Sequence, residues 1–214
     1  MSKSIRKDNK VFGVIGIGAY MANPNADFTG SPREVGGRFV MSPMSIKYPI
    51  RRYWELVENE KVLIYKSMMQ KETDKDGTNI KYRTLEERYR FLFDIEKLDK
   101  NHSLVDVYKN LFECLDVVNF GVLFPVKNTN LSITGAVQFQ DAVNLYDESE
   151  IVQLDVLSPF INASDNGKEK KQTSLGKRNI LDEGHFFSSF SINPLCYKDI
   201  YSLEELSDLC FYTE

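Results

Sequence analysis

The chain has 214 residues, 42% of them hydrophobic and 27% charged, with a formal net charge of −4. This balance describes an ordinary globular protein with a sizeable core, either one large domain or one domain carrying an insertion, and it excludes a disordered or fibrous chain. No run approaches the ~20 apolar residues that cross a bilayer, and Met1–Lys10 is basic without the apolar stretch of a signal peptide, so no membrane partner is expected.

Cys114, Cys196 and Cys210 lack metal-ligand spacing and are an odd number in a chain without an export signal. They read as reduced thiols, and the cytoplasm is the expected location. A net acidic chain is not a generic polyanion binder, yet the charge is unevenly spread. Residues 33–52 and 168–178 each hold five basic residues and one acidic residue, a pattern that predicts localised phosphate contacts on an acidic body.

Val11–Ala22 is an apolar, β-rich run and predicts a buried first strand. Its glycines, Gly13, Gly16 and Gly18, do not form a dinucleotide-binding G-x-G-x-x-G, because Met21 follows three residues after Gly18 and Asn23–Asp27 is a turn rather than a helix start. They mark close backbone packing or a bulge. Next, Gly36 and Gly37 feed a helix that starts at Ser42 and Pro43, a hydroxyl N-cap followed by proline at the first helical position. Ile46, Ile50, Tyr53 and Val57 predict an apolar stripe on it, flanked by Lys47, Arg51 and Trp54 on one side and by Tyr48 and Arg52 on the other. Pro49 marks a kink or a later helix start. These cations suit phosphates, and they equally suit a solvated helix face.

Lys61–Lys66 reads as a strand, Asp74–Gly77 as a turn and Thr78–Arg83 as a hairpin partner. Thr84 to Glu87 is a capping box that opens a helix to about Leu98, and Ser103 opens another to about Leu115. The segment 60–115 is therefore expected to be an insertion with its own packing unit. Val117–Phe124, Leu131–Gln140, Glu150–Leu157 and His185–Ile192 read as strands, residues 162–173 as a polar loop, Asn193-Pro194 as a break, and Ser202–Glu205 as the cap of a last helix. The order gives a ferredoxin-like α+β plan that lacks its final strand.

Four blocks in this order resemble the backbone subunit of type I CRISPR interference complexes, in the type I-B and I-C branch of the RAMP superfamily. They are the first strand with Asn23-Pro24-Asn25-Ala26-Asp27; Gly37-Arg38-Phe39-Val40 through Ile46-Lys47 and Ile50-Arg51-Arg52-Tyr53; Asp116–Phe124 leading to Leu131–Phe139; and Thr173–Arg178 followed by Ser191–Pro194. The chain departs from the family in reading Ala26-Asp27-Phe28 where Gly-Asp-Pro is usual, in carrying Pro49 where a basic residue is common, and in stopping before a second helix and a final core strand.

The resemblance implies a non-enzymatic protein without cofactors, copies of which line up along CRISPR RNA beside other subunits of the complex while the guide pairs with target DNA. It implies an RRM-like palm over 1–59 and 116–214, helical fingers over 60–115 and a thumb hairpin over 156–180. A protein that presents a guide leaves base edges free and grips phosphates and 2′-hydroxyls. The expected contacts are Lys47, Arg51 and then Arg52, with Arg38, the helix start at Ser42 and Ser45, the close backbone approach at Gly37, and Gln138, Lys177 and Arg178 as secondary contacts. Leu175 or Phe160 is placed to wedge between bases, or in the case of Leu175 to pack within its strand.

No catalytic or metal site is expected. His102 and His185 lack ligand partners at suitable spacing, Glu86, Glu87, Glu204 and Glu205 complement helix dipoles, and Asp27 is a lone carboxylate without a second metal ligand. The competing expectation is an adaptor or inhibitor that docks through an open sheet edge and binds no RNA.

Overall fold

A computed structural model describes residues 9–64, 69–74, 77–98, 103–126, 129–157 and 175–201. The fold mixes helices with antiparallel sheets, an α+β architecture, and the chain divides into two compact units. One comprises Met1–Gly13, Lys47–Gln138 and Phe190–Glu214, and the other Val14–Ile46 and Phe139–Ser189.

Most strand residues of the second unit lie in a seven-stranded sheet of order β1 (Val11–Ala22), β11 (Leu175–Ile192), β9 (Ala142–Asn144), β3 (Arg38–Met41), β2 (Glu34–Val35), with β8 (Val137–Phe139) and β10 (Ile151–Leu157) also paired to β11. β10 runs antiparallel to the start of β11, from Ile151 opposite Leu181 to Leu157 opposite Leu175. Asn144 organises the centre. Its Oδ1 accepts from the His185 and Tyr146 amides at 2.8 and 3.2 Å, and its Nδ2 donates to Ser149 Oγ at 2.7 Å, so a buried amide is left with no orphaned group.

The first unit packs helices against β6 (Gly121–Val126) and β7 (Thr129–Thr134), an antiparallel pair. α2 (Leu85–Leu92) opens with the predicted capping box, in which the Glu87 amide donates to Thr84 Oγ1 at 3.2 Å and the Thr84 amide donates back to Glu87 Oε2 at 2.8 Å. It ends six residues before Leu98, with Asp94 in the left-handed region at φ 51°. α3 (Leu104–Phe112) is capped by Ser103. Tyr89, Val107, Leu111, Val117, Phe124 and Tyr197 are fully buried members of one cluster, so described residues of 60–115 share a core with segments that follow.

Four expectations about strands are corrected. Val11–Ala22 is a strand as read but not a buried one, since Phe12, Val14, Tyr20 and Met21 are exposed and only Ala19 is buried. Lys61–Ile64 is not a strand, since the Leu63 and Ile64 amides donate to a carboxylate instead of to a ladder; β5 (Gly77–Tyr82) pairs with β4 (Met69–Asp74). Residues 117–120 are helical, within α4 (Leu115–Phe120). A short run buried on all sides carries no period to separate strand from helix, and here Gly121, at φ 78°, ends the helix and begins β6. The strand expected over 131–140 breaks at Gly135, which lies close against the backbone of Gly121 beside the Gly121–Thr134 pair. A Cβ on Gly135 would lie 2.3 Å from the Gly121 nitrogen. The expected cap at Ser202–Glu205 lies outside the described residues; before it come a 3₁₀ turn (Pro194–Tyr197) and α5 (Lys198–Tyr201), after the predicted break at Asn193-Pro194.

Candidate nucleic-acid interface

α1 (Pro43–Leu56) begins at the predicted Ser42–Pro43 step and runs through Pro49. Its buried side differs from the predicted stripe. Tyr53 and Val57 are exposed, whereas Lys47 and Arg51, each 7% exposed, lie inward beside Ile46. The reason is a fully buried acid from α4. Asp116 Oδ2 accepts from Arg51 Nε at 3.2 Å and from the Ile64 amide at 2.9 Å, and Oδ1 accepts from the Leu63 amide at 2.8 Å. Burial pushes the Asp116 carboxyl up, opposed by the two amides and the guanidinium. Phe120 supplies the remaining surface, with Lys47 Nζ 5.1 Å and Arg51 Cζ 5.0 Å from its centroid and Trp54 stacked on it at 5.3 Å. Burial, and then Arg51, push the Lys47 amine down. The two first-choice cations are thus part of the packing that seats α1. Arg52 is half-buried on the same helix, and Gln138 is exposed with its Nε2 donating to the Gly135 carbonyl at 2.8 Å.

The second unit holds the other predicted residues. Gly36 and Gly37, at φ 59° and 78°, form the tight turn from β2 into β3 that only glycine adopts cheaply. This turn leaves Arg38 exposed opposite Val35. β3 delivers the chain to Ser42, whose amide and hydroxyl both donate to Asn25 Oδ1 at 2.8 Å. Ser45 Oγ donates to the Ser42 carbonyl at 2.7 Å. The first turn of α1 contains no acidic residue, so its positive end is uncompensated by its own sequence. Asn23–Ser31 is held in place from within, with Asp27 Oδ1 accepting from Thr29 Oγ1 at 2.6 Å, the Thr29 amide at 2.8 Å and the Ser31 amide at 3.1 Å. These bonds, the Thr29 hydroxyl foremost, hold the Asp27 carboxyl below its usual range. Asn179 of β11 joins the loop as well, donating to Ser31 Oγ at 2.8 Å and accepting from Asn23 Nδ2 at its carbonyl at 3.2 Å. Immediately before Asn179 on β11, Lys177 and Arg178 are exposed opposite Asp155 and Leu154.

Sequence reasoning missed Asn25 and Asn179 as the tethers of this loop, and Arg33 as a further exposed cation leading into β2. An Asn-Pro-Asn turn signals a bend without naming its distant partner. The wedge candidates Phe160 and the Leu175 side chain lie outside the described residues. His185 pairs with Glu183 at 2.7 Å between the edges of Tyr20 and Tyr146. His102 lies outside the described residues, among which no group of three His, Cys, Asp or Glu is placed to hold a metal and no helix is long and apolar enough to cross a membrane.

These features define an α+β protein that displays a basic strand-to-helix junction. The chain belongs to the family of CRISPR-associated protein Cas7, whose sequence profile matches residues 9–211. It is similar to a chain of a "CRISPR RNA-guided surveillance complex, pre-nicking" with 16% identity and a TM-score of 0.48, covering 89% of this chain and 67% of that one. It is also similar to a chain of a "CRISPR RNA-guided surveillance complex" with 18% identity and a TM-score of 0.40, covering 89% of this chain and 53% of that one. The chain thus spans about two thirds and about half of their lengths. No curated protein matches it.

Proposed function

We propose that the protein is a CRISPR RNA-binding backbone subunit of a type I interference complex, of the I-B or I-C kind, and acts without chemistry of its own. Copies lie along the guide in the cytoplasm beside other subunits of the complex, grip its phosphates and leave the bases to pair with target DNA. In this reading an RRM-like, ferredoxin-related palm spans 1–59 and 116–214, fingers span 60–115 and a thumb spans 156–180.

The observation that carries the reading is the junction where the Gly36-Gly37 turn, exposed Arg38 and the Asn25-held start of α1 follow one another, within a chain of the Cas7 family. Glycine backbone and helix-start amides suit close approach to an anion, and exposed arginines suit phosphate oxygens. The contacts are assigned to Gly37, Arg38, Ser42, Ser45, Lys177 and Arg178, with Arg52 and Gln138 secondary. Lys47 and Arg51 contribute by seating the helix, because the Arg51 guanidinium is already engaged with Asp116.

Fluorescence anisotropy with single-stranded RNA tests this. Affinity is expected to fall steeply with salt, and Arg38→Ala and Lys177→Ala/Arg178→Ala to weaken it and to lower the salt slope by about one per lost phosphate contact. Unchanged affinity and slope in both variants would reject the RNA grip and leave the adaptor reading.

A further inference from the structure

The two basic groups of the candidate interface stand far apart in the chain and meet through one loop. Asn179 directly follows Lys177 and Arg178 on β11 and is bonded on three sides. Its Nδ2 donates to Ser31 Oγ at 2.8 Å, its Oδ1 accepts from Gln153 Nε2 of β10 at 3.2 Å, and its carbonyl accepts from Asn23 Nδ2 at 3.2 Å. The loop that Asn179 holds is closed on itself. The Asp27 amide donates to the Ser31 carbonyl at 2.8 Å, the Arg33 amide to the Asn25 carbonyl at 3.0 Å, and Asn23 Nδ2 to the Gly30 carbonyl at 3.1 Å.

The other end of the loop is tied to the elements that carry Arg38 and Ser42. The Arg33 carbonyl accepts from the Val40 amide of β3 at 2.9 Å, and Asn25 Oδ1 accepts both donors of Ser42. Every residue in this chain of bonds lies within 23–42 or 153–179, inside the second unit. A loop between strands is ordinarily the mobile part of a fold, and a ligand that binds through it must order it first. Here the ordering is completed on folding. Asn25 and Asn179 carry no charge, and their side-chain amides are already engaged, Asn25 Nδ2 with the Ala26 carbonyl at 3.2 Å. Their contribution to binding a polyanion is therefore placement rather than contact.

We propose that the Asn23–Ser31 loop is a bracket that presets the β11 cations and the β2–β3 turn as one RNA site, and that Asn25 and Asn179 are the positioning residues that fix its two ends. This rests on the RNA-binding reading above. Removing either amide leaves every phosphate contact available and adds only to the ordering that binding demands. Affinity then falls while the number of counterions released stays the same.

Anisotropy of a fluorescent oligouridine, titrated with the full chain over a range of salt, tests the bracket. Asn25→Ala, Asn179→Ala and Ser31→Ala, which breaks the Asn179 bond from the loop side, are each expected to weaken binding about three- to tenfold, the range of one or two net hydrogen bonds. Each keeps the salt slope of the parent, whereas Arg38→Ala lowers it. A double-mutant cycle between Asn179 and Arg38, which sit on separate strands, is expected to be non-additive: Arg38→Ala weakens binding less once Asn179→Ala has released the loop. Thermal melts identify any variant that fails to fold, and Ser31→Ala, which leaves β11 intact, then carries the test. A parent that binds no RNA overturns the functional reading and the bracket with it. A parent that binds RNA, beside folded Asn179→Ala and Ser31→Ala variants of parental affinity, overturns the bracket alone. So does a salt slope lowered as in Arg38→Ala, which makes the amides contacts, or a cycle whose losses simply multiply.

Discussion

Arg51 Nε lies 3.2 Å from Asp116 Oδ2, with both side chains almost wholly removed from water. The pair joins α1 to α4, and the same carboxylate holds the Leu63 and Ile64 amides. Truncating one member of a buried pair strands the other, at ~3–5 kcal/mol. Arg51→Ala is therefore expected to lose about that much stability in urea unfolding. Asp116→Ala should lose more, because two backbone donors are orphaned as well as the guanidinium. Equal losses for the two variants would show that the amide bonds to Asp116 contribute nothing.

Acid should weaken the start of α2 in a defined window. Glu87 accepts the Thr84 amide and lies 3.2 Å from Lys81 Nζ. The Thr84 amide, followed by further hydrogen bonds that include Lys81, lowers its carboxyl from 4.5 to about 2. A depressed carboxyl contributes its full stabilisation above the unfolded value and loses it as pH falls through the folded one. Glutamine preserves the capping geometry but not the charge. The stability gap between the parent and Glu87→Gln is expected to be constant above pH ~5 and to shrink progressively toward pH 2; a gap undiminished at pH 2 contradicts this assignment.

Gly121 and Gly135 admit no side chain. A Cβ on Gly121 would lie 2.3 Å from the Ile133 carbonyl oxygen, and one on Gly135 would lie 2.3 Å from Gly121 nitrogen. Each obstacle is backbone, which cannot swing aside as a side chain does. Gly121→Ala and Gly135→Ala are each expected to cost about 3 kcal/mol or more. Gly18→Ala, which meets only ordinary contact, serves as the control and should change stability little; thermal melts of the three variants decide the point.

Local signals were legible in the sequence wherever the partner lies within a few residues. The Ser42–Pro43 start, the Thr84–Glu87 box, the Ser103 cap and the Asn193-Pro194 break all stand as read. What could not be read were the long-range partners. Asp116 is one acid at the head of an apolar run, and nothing in its neighbourhood announces an arginine 65 residues earlier in the chain. Without that partner, Lys47 and Arg51 look like outward cations and Tyr53 and Val57 like inward apolar residues, and the structure reverses both. The strand expected over Lys61–Lys66 fails across its described residues, 61–64, for the same reason, the Leu63 and Ile64 amides being claimed by the same carboxylate. The Gly36-Gly37 turn and the helix start at Pro43 form where the sequence reads them, because glycine and proline act through their own backbone.

The inward turn of Lys47 and Arg51 has a consequence for how fast a polyanion arrives. Two of the five basic residues of segment 33–52 are withdrawn from solvent, and one of them is neutralised by Asp116. The far field of the molecule is then set by its net charge of −4, and the exposed arginines attract only within about a Debye length, ~8 Å at physiological salt. On the proposed RNA-binding function, capture should therefore proceed without long-range guidance, at an association rate constant of about 10⁵–10⁶ M⁻¹s⁻¹ in stopped-flow mixing, well short of the ~10⁸ M⁻¹s⁻¹ or more that electrostatic steering reaches.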